Sequence, residues 1–311
     1  MFEGFERFDV DTGECVLHGV RGGSGPPLLL LHGYPQTHAM WHRVAPVLAE
    51  RFTVTAPDLR GYGRSSKPPS DPDHASYSKR ASANDLVRLM SGFGHERFAL
   101  VAHDRGARVA HRLALDHVGR VSRLAVLDIA PTREMYRGTT AGFASAYWHW
   151  FLLIQPAPFP ERLIGADPDG WLEHKMGSGS AGLAPFAEAA LSDYRRAFRD
   201  PDTVRASCED YRAAASIDIA HDDADGGRQI DCPLLALWGR RGVIEAHFDA
   251  LALWRERATD VRGGALDGGH YLAEECPEAL LAELDPFLRP WREATMQAGQ
   301  ARQSDRGDPD R

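Results

Sequence analysis

One stretch, residues 98–115, constrains the fold of this chain more than any other. Residues 98–102 are short and continuously apolar, as in a parallel strand that is buried on both faces. Over residues 109–114 the apolar positions recur at helical spacing. The two patterns meet at residues 103–106, where small residues stand two before and two after Asp104. The stretch therefore predicts a strand, a tight turn that presents the Asp104 side chain, and a helix.

An aspartate at the point of such a turn indicates a particular chemistry. Serine at this point serves acyl transfer, whereas a carboxylate can attack a saturated carbon and displace a leaving group. The start of the following helix favours the ionised form of Asp104. The alternative is that Asp104 only caps the helix, and the residues described next make that alternative the weaker one.

Two arginines follow Asp104 in the first turns of the predicted helix. Arg105 and Arg108 are three residues apart, so they are neighbours on the helix surface. Cations at a helix N-terminus oppose the helix dipole, and a solvated surface role therefore explains them poorly. Two guanidinium groups suit a substrate carboxylate or a similar anion. Arg112 continues the spacing further from the turn, and we interpret it as a surface residue.

The composition limits the partners and the compartment. The 311 residues are 43% hydrophobic, which is enough to bury a large core. The net charge of −8 disfavours nucleic acid or an anionic membrane as a partner, and no apolar run approaches the length of a membrane span. The start of the chain lacks a signal-peptide pattern, and the four cysteines lack metal-ligand spacing. We therefore expect a reduced, cytoplasmic protein with no metal and no cofactor.

Alternating apolar and helical patterns predict an α/β fold with a mostly parallel sheet. Residues 1–130 and 226–290 carry this pattern and are expected to form the core domain. Residues 131–225 hold helical segments without convincing strands, which predicts an all-helical cap inserted into the core. Residues 291–311 are polar, and we expect a disordered tail there. The expected elements are a hairpin at 2–20, strands at 28–31, 52–56, 98–102, 121–127 and 232–239, and cap helices at 184–198 and 203–216.

Asp128 and His270 complete a catalytic set with Asp104 in the chain order that a sheet of this kind uses. Asp128 stands at the carboxyl end of a predicted strand, where functional residues of α/β sheets gather. His270 lies in a glycine-rich loop and can act as general base on water while Asp128 orients its imidazole. Glu245 is the rival to Asp128 for the orienting role. The backbone N–H groups of Tyr34 and Arg105 are the expected oxyanion donors.

These motifs resemble the α/β-hydrolase superfamily, and within it the aspartate-nucleophile branch of haloalkane dehalogenases and epoxide hydrolases. The resemblance extends from His32 to about Leu288. His-Asp-Arg-Gly at 103–106 with Arg108, together with Tyr-Trp-His-Trp at 147–150, looks like the fluoroacetate (haloacetate) dehalogenase family in particular. The other matching stretches are His-Gly-Tyr-Pro-Gln at 32–36, Leu-Asp-Ile-Ala-Pro at 127–131, Cys-Glu-Asp-Tyr-Arg-Ala-Ala at 208–214 and Gly-Gly-His at 268–270.

The resemblance implies hydrolytic dehalogenation of a short 2-haloacid, without a cofactor, in a homodimer. An ester forms on the nucleophile and is then hydrolysed by activated water. Several convergent donors suit fluoride, which is a compact anion and a poor leaving group. The implied roles are nucleophile for Asp104, water activation for Asp128 and His270, carboxylate binding for Arg105 and Arg108, and halide binding for His149, Trp150 and Tyr211.

Three alternatives stay open at this point. An epoxide hydrolase would use the same Asp/His chemistry with tyrosines of the cap, for which Tyr147, Tyr194 and Tyr211 are available. A neutral epoxide, however, has no use for two buried cations, and the same argument disfavours a haloalkane dehalogenase. The third alternative is a receptor of this fold that binds a small anion without turnover. Two departures from the family pattern, Ala102 in place of glycine and Tyr34 in place of Phe or Trp, leave the class unchanged.

Overall fold

An eight-stranded sheet runs through the computed structural model, which describes residues 1–179 and 181–305. The strands are β1 (Glu6–Asp11), β2 (Val16–Gly22), β3 (Pro27–Leu31), β4 (Thr53–Pro57), β5 (Phe98–His103), β6 (Val121–Leu127), β7 (Leu234–Gly239) and β8 (Val261–Leu266). Their order across the sheet is β1-β2-β4-β3-β5-β6-β7-β8. The pairs β1/β2 and β2/β4 are antiparallel and all the others are parallel. The predicted α/β class with a mostly parallel sheet is confirmed.

The continuously apolar strands are the ones that the fold covers on both faces. Every residue of β3 and β5 is buried, as expected where helices pack on both sides of parallel strands. The opening hairpin predicted at 2–20 is present as β1 and β2, with Glu6 opposite Arg21. Because the parallel strands share one direction, their carboxyl ends meet at one edge, and β5 and β6 lead there to Asp104 and Asp128.

The helices follow the strands in alternation and then accumulate between β6 and β7. In chain order they are α1 (Ala45–Ala49), α2 (Lys79–Gly92), α3 (Asp104–Asp116), α4 (Thr132–Arg137), α5 (Ala141–Ala146), α6 (Trp148–Leu153), α7 (Phe159–Ala166), α8 (Pro168–Ser178), α9 (Glu188–Phe198), α10 (Pro201–Ala215), α11 (Ile217–Ala224), α12 (Val243–His247), α13 (Ala250–Arg255), α14 (Leu272–Glu275) and α15 (Pro277–Asp305). Short 3-10 helices lie at His38–Trp41 and Ala75–Tyr77.

The segment from α4 to α11 contains helices and, in its described residues, no strand. The helix α10 is its centre, since it packs against α6, α7, α9 and α11. Its sequence explains this position, because nearly every residue from Thr203 to Ala214 is buried. Asp200 begins the helix by accepting a hydrogen bond from the Asp202 N–H at 3.0 Å, as Asp does at an N-cap. The segment agrees with the helical content predicted for 131–225.

Two elements at the end of the chain differ from the prediction. The sequence does not indicate β8, because two glycines interrupt its apolar pattern, yet Gly263 is required there: a Cβ would lie 1.8 Å from the Ala236 oxygen of β7. The disordered tail predicted for 291–311 is wrong over 291–305, where α15 continues. Trp291 packs against the core and donates from its Nε1 to the Pro27 oxygen at 3.3 Å, which ties the helix down. Residues 306–311 lie outside the described residues.

Candidate active site

The Asp104 side chain is presented by a turn with no connecting residue between β5 and α3. Asp104 adopts a positive φ of 44°, a conformation that costs free energy for any residue with a Cβ. Two glycines make room for it. A Cβ on Gly106 would lie 2.3 Å from the His32 oxygen, and one on Gly33 would lie 2.4 Å from the Asp104 Cβ. The sharp turn predicted from the small residues around Asp104 is therefore present.

The Asp104 carboxylate is buried and held in its ionised form. The Tyr34 N–H donates to Oδ1 at 2.9 Å, from the loop after β3 where an oxyanion donor was expected. Burial raises the pKa of Asp104, but His270, His103 and the two arginines outweigh it and hold the pKa below its usual range. The second expected donor, the Arg105 N–H, has no described hydrogen bond to Asp104, and its role stays a prediction. Asp104 is thus an anion whose Oδ2 lies 4.0 Å from His270 Nε2.

His270 lies between the two aspartates. Its Nδ1 is 2.5 Å from Asp128 Oδ2, and its Nε2 is 4.0 Å from Asp104 Oδ2. Because a carboxylate only accepts, Nδ1 carries the proton, and Nε2, which faces Asp104, has a lone pair that can accept a proton from a third molecule. The His270 N–H donates to the Gly179 oxygen at 2.8 Å, and the His270 oxygen lies 2.8 Å from His103 Nε2. The backbone of His270 is therefore held at both its N–H and its carbonyl oxygen, which fixes the position from which the ring extends.

Asp128, and not Glu245, is the acid that contacts His270. Asp128 follows β6 directly, has a positive φ of 52° and accepts the Gly239 N–H on Oδ1 at 2.9 Å. Glu245 is exposed on α12 and accepts a hydrogen bond from Trp238 Nε1. The structure thus brings together Asp104, Asp128 and His270 and leaves the rival outside the site.

The two arginines are both buried, but their partners differ. Arg105 donates from Nε to Asp210 Oδ2 at 2.5 Å and from Nη2 to the Asp210 oxygen at 2.7 Å. Arg108 donates from Nη1 to the Ala130 oxygen at 3.2 Å and to Thr132 Oγ1 at 3.0 Å. No described acidic residue forms an ion pair with it. Burial, together with the charge of Arg105, lowers the pKa of Arg108. Arg108 is therefore a buried cation whose described hydrogen-bond partners are all uncharged.

The three residues proposed for the halide come together on the helical side. His149 and Trp150 lie in the first turn of α6, and Tyr211 lies on α10. The Tyr211 ring centroid is 5.9 Å from that of His149 and 6.3 Å from that of Trp150. All three are buried, and none of their side chains donates to a described protein group. Burial, aided by Lys175, holds the pKa of His149 well below its usual range. Burial, aided by Asp104, holds that of Tyr211 well above its usual range. Both side chains are therefore neutral and can donate.

The structure adds polar residues to the site that sequence reasoning missed. Asp210 pairs with Arg105, as described above. Lys175 is buried on α8 with its Nζ 5.6 Å from the Tyr147 ring centroid, and burial lowers its pKa to about 8 against the pull of Asp104 and Asp128. Asp210 is the residue before Tyr211 in the quoted motif, which was an available signal. Nothing in the local sequence marks Lys175, because its neighbours in the site are far away along the chain.

One expectation about the arginines is wrong. Arg112 is not a surface residue, since only 3% of its side chain is exposed. It lies 2.5 Å from Asp222 and 2.6 Å from Asp225, so α3 is joined to α11 by buried ion pairs. The helical spacing was right, but spacing alone does not reveal that a second helix covers this face.

The comparisons with known proteins agree with this fold. The family model of the alpha/beta hydrolase fold matches residues 26–276, so the chain belongs to the α/β-hydrolase family. It is similar to a fluoroacetate dehalogenase from Burkholderia sp., with 50% identity over 93% of this chain and 95% of that protein. It is also 33% identical to a soluble epoxide hydrolase from Corynebacterium sp. (strain C12), over 89% of this chain and 94% of that protein. The predicted family resemblance is confirmed.

A solved structure supports the same assignment. ALR0039 from Nostoc sp. PCC 7120, assigned to the α/β hydrolases, is 55% identical and superposes with a TM-score of 0.92, covering 93% of this chain and 99% of that one. Among residues 1–179 and 181–305, no helix combines the length and apolar character needed to cross a bilayer.

Proposed function

We propose that this hydrolase removes the halogen from short 2-haloacids, converting haloacetate, and fluoroacetate in particular, to glycolate and halide. The observation that carries the proposal is the combination of an ionised Asp104 beside the His270–Asp128 pair with Arg108, a buried cation without a described acidic partner. A substrate carboxylate supplies the missing counter-charge. The similarity to a fluoroacetate dehalogenase supports the same substrate class.

In the first step Asp104 Oδ2 attacks the carbon that bears the halogen. A carbon–oxygen bond forms, the carbon–halogen bond breaks, and the halide leaves with the bonding electron pair. Oδ1 becomes the carbonyl oxygen of the new ester. Arg105 and Arg108 hold the substrate carboxylate during this displacement. His149, Trp150 and Tyr211 are the neutral donors proposed to stabilise the negative charge that develops on the halide.

In the second step water cleaves the ester. His270 Nε2 takes a proton from water, and the resulting hydroxide attacks the carbonyl carbon of the Asp104 ester. Asp128 stabilises the imidazolium through Nδ1–H. The Tyr34 N–H, already 2.9 Å from Oδ1, stabilises the oxyanion. The bond from the carbonyl carbon to the ester oxygen then breaks, and the leaving oxygen takes the proton of the new Asp104 carboxyl group. Glycolate leaves, Asp104 returns as a carboxylate, and His270 releases its proton to solvent. The sum is haloacetate plus water giving glycolate, halide and a proton.

Epoxide hydrolysis is the second candidate, and one relative favours it. The soluble epoxide hydrolase of Corynebacterium is 33% identical over most of both chains. Tyr147 and Tyr211 are buried near the site and can donate to an epoxide oxygen. Tyr194 is less suited, because its hydroxyl donates to Glu274 Oε1 at 3.2 Å. The unpaired charge of Arg108 favours the haloacid over a neutral epoxide.

The ester intermediate provides the decisive test. His270→Asn incubated with chloroacetate should accumulate an enzyme species heavier by one carboxymethyl ester on Asp104, visible by intact mass and peptide mapping. The matched control is the double variant with Asp104→Asn, which should stay unmodified. Wild-type enzyme should release halide from fluoroacetate and chloroacetate without an added cofactor. Diol formation from an epoxide, without halide release from either acid, would support the second candidate and exclude the first. Acid binding with neither halide release nor an ester would indicate a receptor.

We further propose a homodimeric, cytoplasmic enzyme whose residues 131–225 form a cap over the core. All four cysteines are free, as expected in a reducing compartment. Phe159 and Leu163 of α7 are each about half exposed, and this apolar surface favours association with a second copy. Sedimentation equilibrium should give twice the mass of the chain, and Phe159→Glu should reduce it. A monomer in wild-type enzyme would contradict the dimer.

A further inference from the structure

Asp210 is the centre of a buried ion network between α10 and the start of α3. Its Oδ1 accepts from Lys79 Nζ at 2.5 Å, and its Oδ2 accepts from Arg105 Nε at 2.5 Å and from the Tyr62 hydroxyl at 3.1 Å. Lys79 also lies 3.4 Å from Asp218. Burial raises the pKa of Asp210, but Arg105 and Lys79 outweigh it and keep the pKa below its usual range. The group is therefore a permanent anion in the described site.

This network fixes which nitrogen of Arg105 can reach a ligand. Nε and Nη2 are both taken by Asp210, through its side chain and its backbone oxygen. Nη1 is buried and has no protein partner among the described residues. Because a guanidinium is planar and rigid, holding two nitrogens determines the position of the third. Arg105 therefore keeps one nitrogen, Nη1, without a described protein partner and in a fixed orientation.

The same contact joins the arginines to the proposed halide donors. Asp210 is adjacent to Tyr211 on α10, and the Arg105 guanidinium carbon lies 4.1 Å from the Tyr211 ring centroid. The Arg108 guanidinium is placed similarly, 4.7 Å from the Trp150 ring centroid. A movement of Arg105 relative to α10 would therefore change the distance between Arg105, proposed to bind the substrate carboxylate, and Tyr211, proposed to bind the halide.

We propose that Asp210 is a positioning residue that keeps Arg105 Nη1 and the Tyr211 hydroxyl in fixed register, so that the substrate is held at both ends while Asp104 attacks. This proposal rests on the proposed dehalogenation. It assigns to Asp210 an effect on the rate of the reaction rather than on the affinity for the acid. In an in-line displacement, the nucleophile, carbon and halogen must align, and a displacement of about 1 Å can lower the rate about 100-fold.

The test compares Asp210→Asn with wild type at the level of kcat and KM. We expect kcat for chloroacetate to fall about 100-fold, with KM and the Kd of acetate, measured calorimetrically, changing less than about threefold. The affinity for the acid is retained because Arg108 is unaltered and because the substitution removes a negative charge beside Arg105. A crystal structure of the variant should show Arg105 displaced from the Tyr211 ring. Tyr62→Phe, a milder variant, should lower kcat about threefold without a change in KM.

Asp222→Asn is the matched control, since Asp222 pairs with buried Arg112 at 2.5 Å and forms no described hydrogen bond or ion pair with Arg105 or Asp210. It should lower stability and leave kcat per folded enzyme unchanged. For Asp210→Asn, an unchanged kcat, or a KM that rises together with the acetate Kd, would overturn the proposal. If wild type releases no halide, the proposed function fails independently. In that event a displaced Arg105 in the variant still supports the positioning role, and an unmoved one refutes it.

Discussion

The two sides of the site are built differently. On the sheet edge each reacting group has a protein partner: Asp104 has the Tyr34 N–H, Asp128 has the Gly239 N–H, and His270 has Asp128. On the helical side His149, Trp150 and Tyr211 donate to no described group, and Trp150 Nε1 is fully buried. Since an unpaired buried polar atom costs about 1–3 kcal/mol, this arrangement needs a reason. The difference agrees with the proposed function, in which groups at the sheet edge react and the helical side receives the halide.

The largest effect on turnover should come from a substitution at the sheet edge. Asp104→Asn removes the nucleophile while preserving the shape and the Tyr34 hydrogen bond, and we expect kcat to fall by about 10⁴-fold or more. Halide release from chloroacetate measures this, with circular dichroism as the control for folding. Retention of substantial turnover in freshly prepared variant, before any deamidation, would contradict the role of Asp104.

Arg108 tests whether the unpaired cation selects an acid. Arg108→Met removes the charge and keeps much of the volume, and kcat/KM for haloacetate should fall about 100- to 1000-fold, as expected for a charge-assisted contact. A neutral 2-haloacetamide should be affected less than tenfold. The quantity to measure is the loss in kcat/KM for haloacetate divided by the loss for 2-haloacetamide. Equal losses for both substrates would mean that Arg108 supports the fold and does not bind the carboxylate.

Trp150 tests the unpartnered donors directly. Trp150→Phe removes the indole N–H while keeping an aromatic ring beside Arg108, and kcat for fluoroacetate should fall about 10- to 100-fold. The loss for bromoacetate should be smaller, because bromide is a better leaving group and a weaker acceptor. Rates for the two acids, compared at saturating substrate, give the result. An identical loss for both halogens would indicate a packing role.

The smallest expected effect is on stability, and it concerns a contact of Glu274 where the helical side meets the sheet edge. Glu274 of α14 is bonded to Gln36 at 2.5 Å and to Tyr194 of α9 at 3.2 Å, and burial raises its pKa to about 8 despite those hydrogen bonds. In the unfolded chain Glu274 has the ordinary carboxyl pKa of 4.5 and loses its proton above that pH. In the folded protein Glu274 keeps the proton up to about pH 8. The stability contributed by this group is therefore complete below that value and lost as pH rises toward 8.

Glu274→Gln should remove this pH dependence. Between pH 6 and pH 8 the wild-type free energy of unfolding should decline more steeply than that of the variant, by about 1 kcal/mol per pH unit at most. Urea unfolding at several pH values measures the two slopes. Parallel slopes for wild type and Glu274→Gln would show that Glu274 is ionised in the folded protein.

Local pattern explains what the sequence could predict. The turn at Asp104, the buried strands on both sides of it and the helices α9 and α10 each depend on residues close together in the chain. The approach of Asp128 to Asp104 followed from the parallel order of the strands, since their carboxyl ends must share one edge. That of His270 was predicted from its glycine-rich loop and from the chain order Asp104, Asp128, His270. The resemblance to a family supplied the roles of His149, Trp150 and Tyr211, which hydrophobic periodicity alone would place in a core.

Long-range contacts explain what the sequence could not predict. The pairing of Asp210 with Arg105 joins residues more than a hundred positions apart, and Arg112 was misjudged because its partners lie on α11. The strand β8 has too little apolar pattern to be detected, and its glycines are explained only by the closeness of β7. The helix α15 continues past residue 290 because Trp291 finds a place against the core, which composition alone does not reveal.

Both acids of the proposed catalytic set have a left-handed backbone, with φ of 44° at Asp104 and 52° at Asp128. Asp and Asn tolerate this region better than most residues, but glycine adopts it freely. Glycine at either position would relieve about 1 kcal/mol or more of backbone strain. If these acids react as proposed, directed evolution for heat resistance alone would favour their loss, and a thermostability screen should retain a selection for turnover.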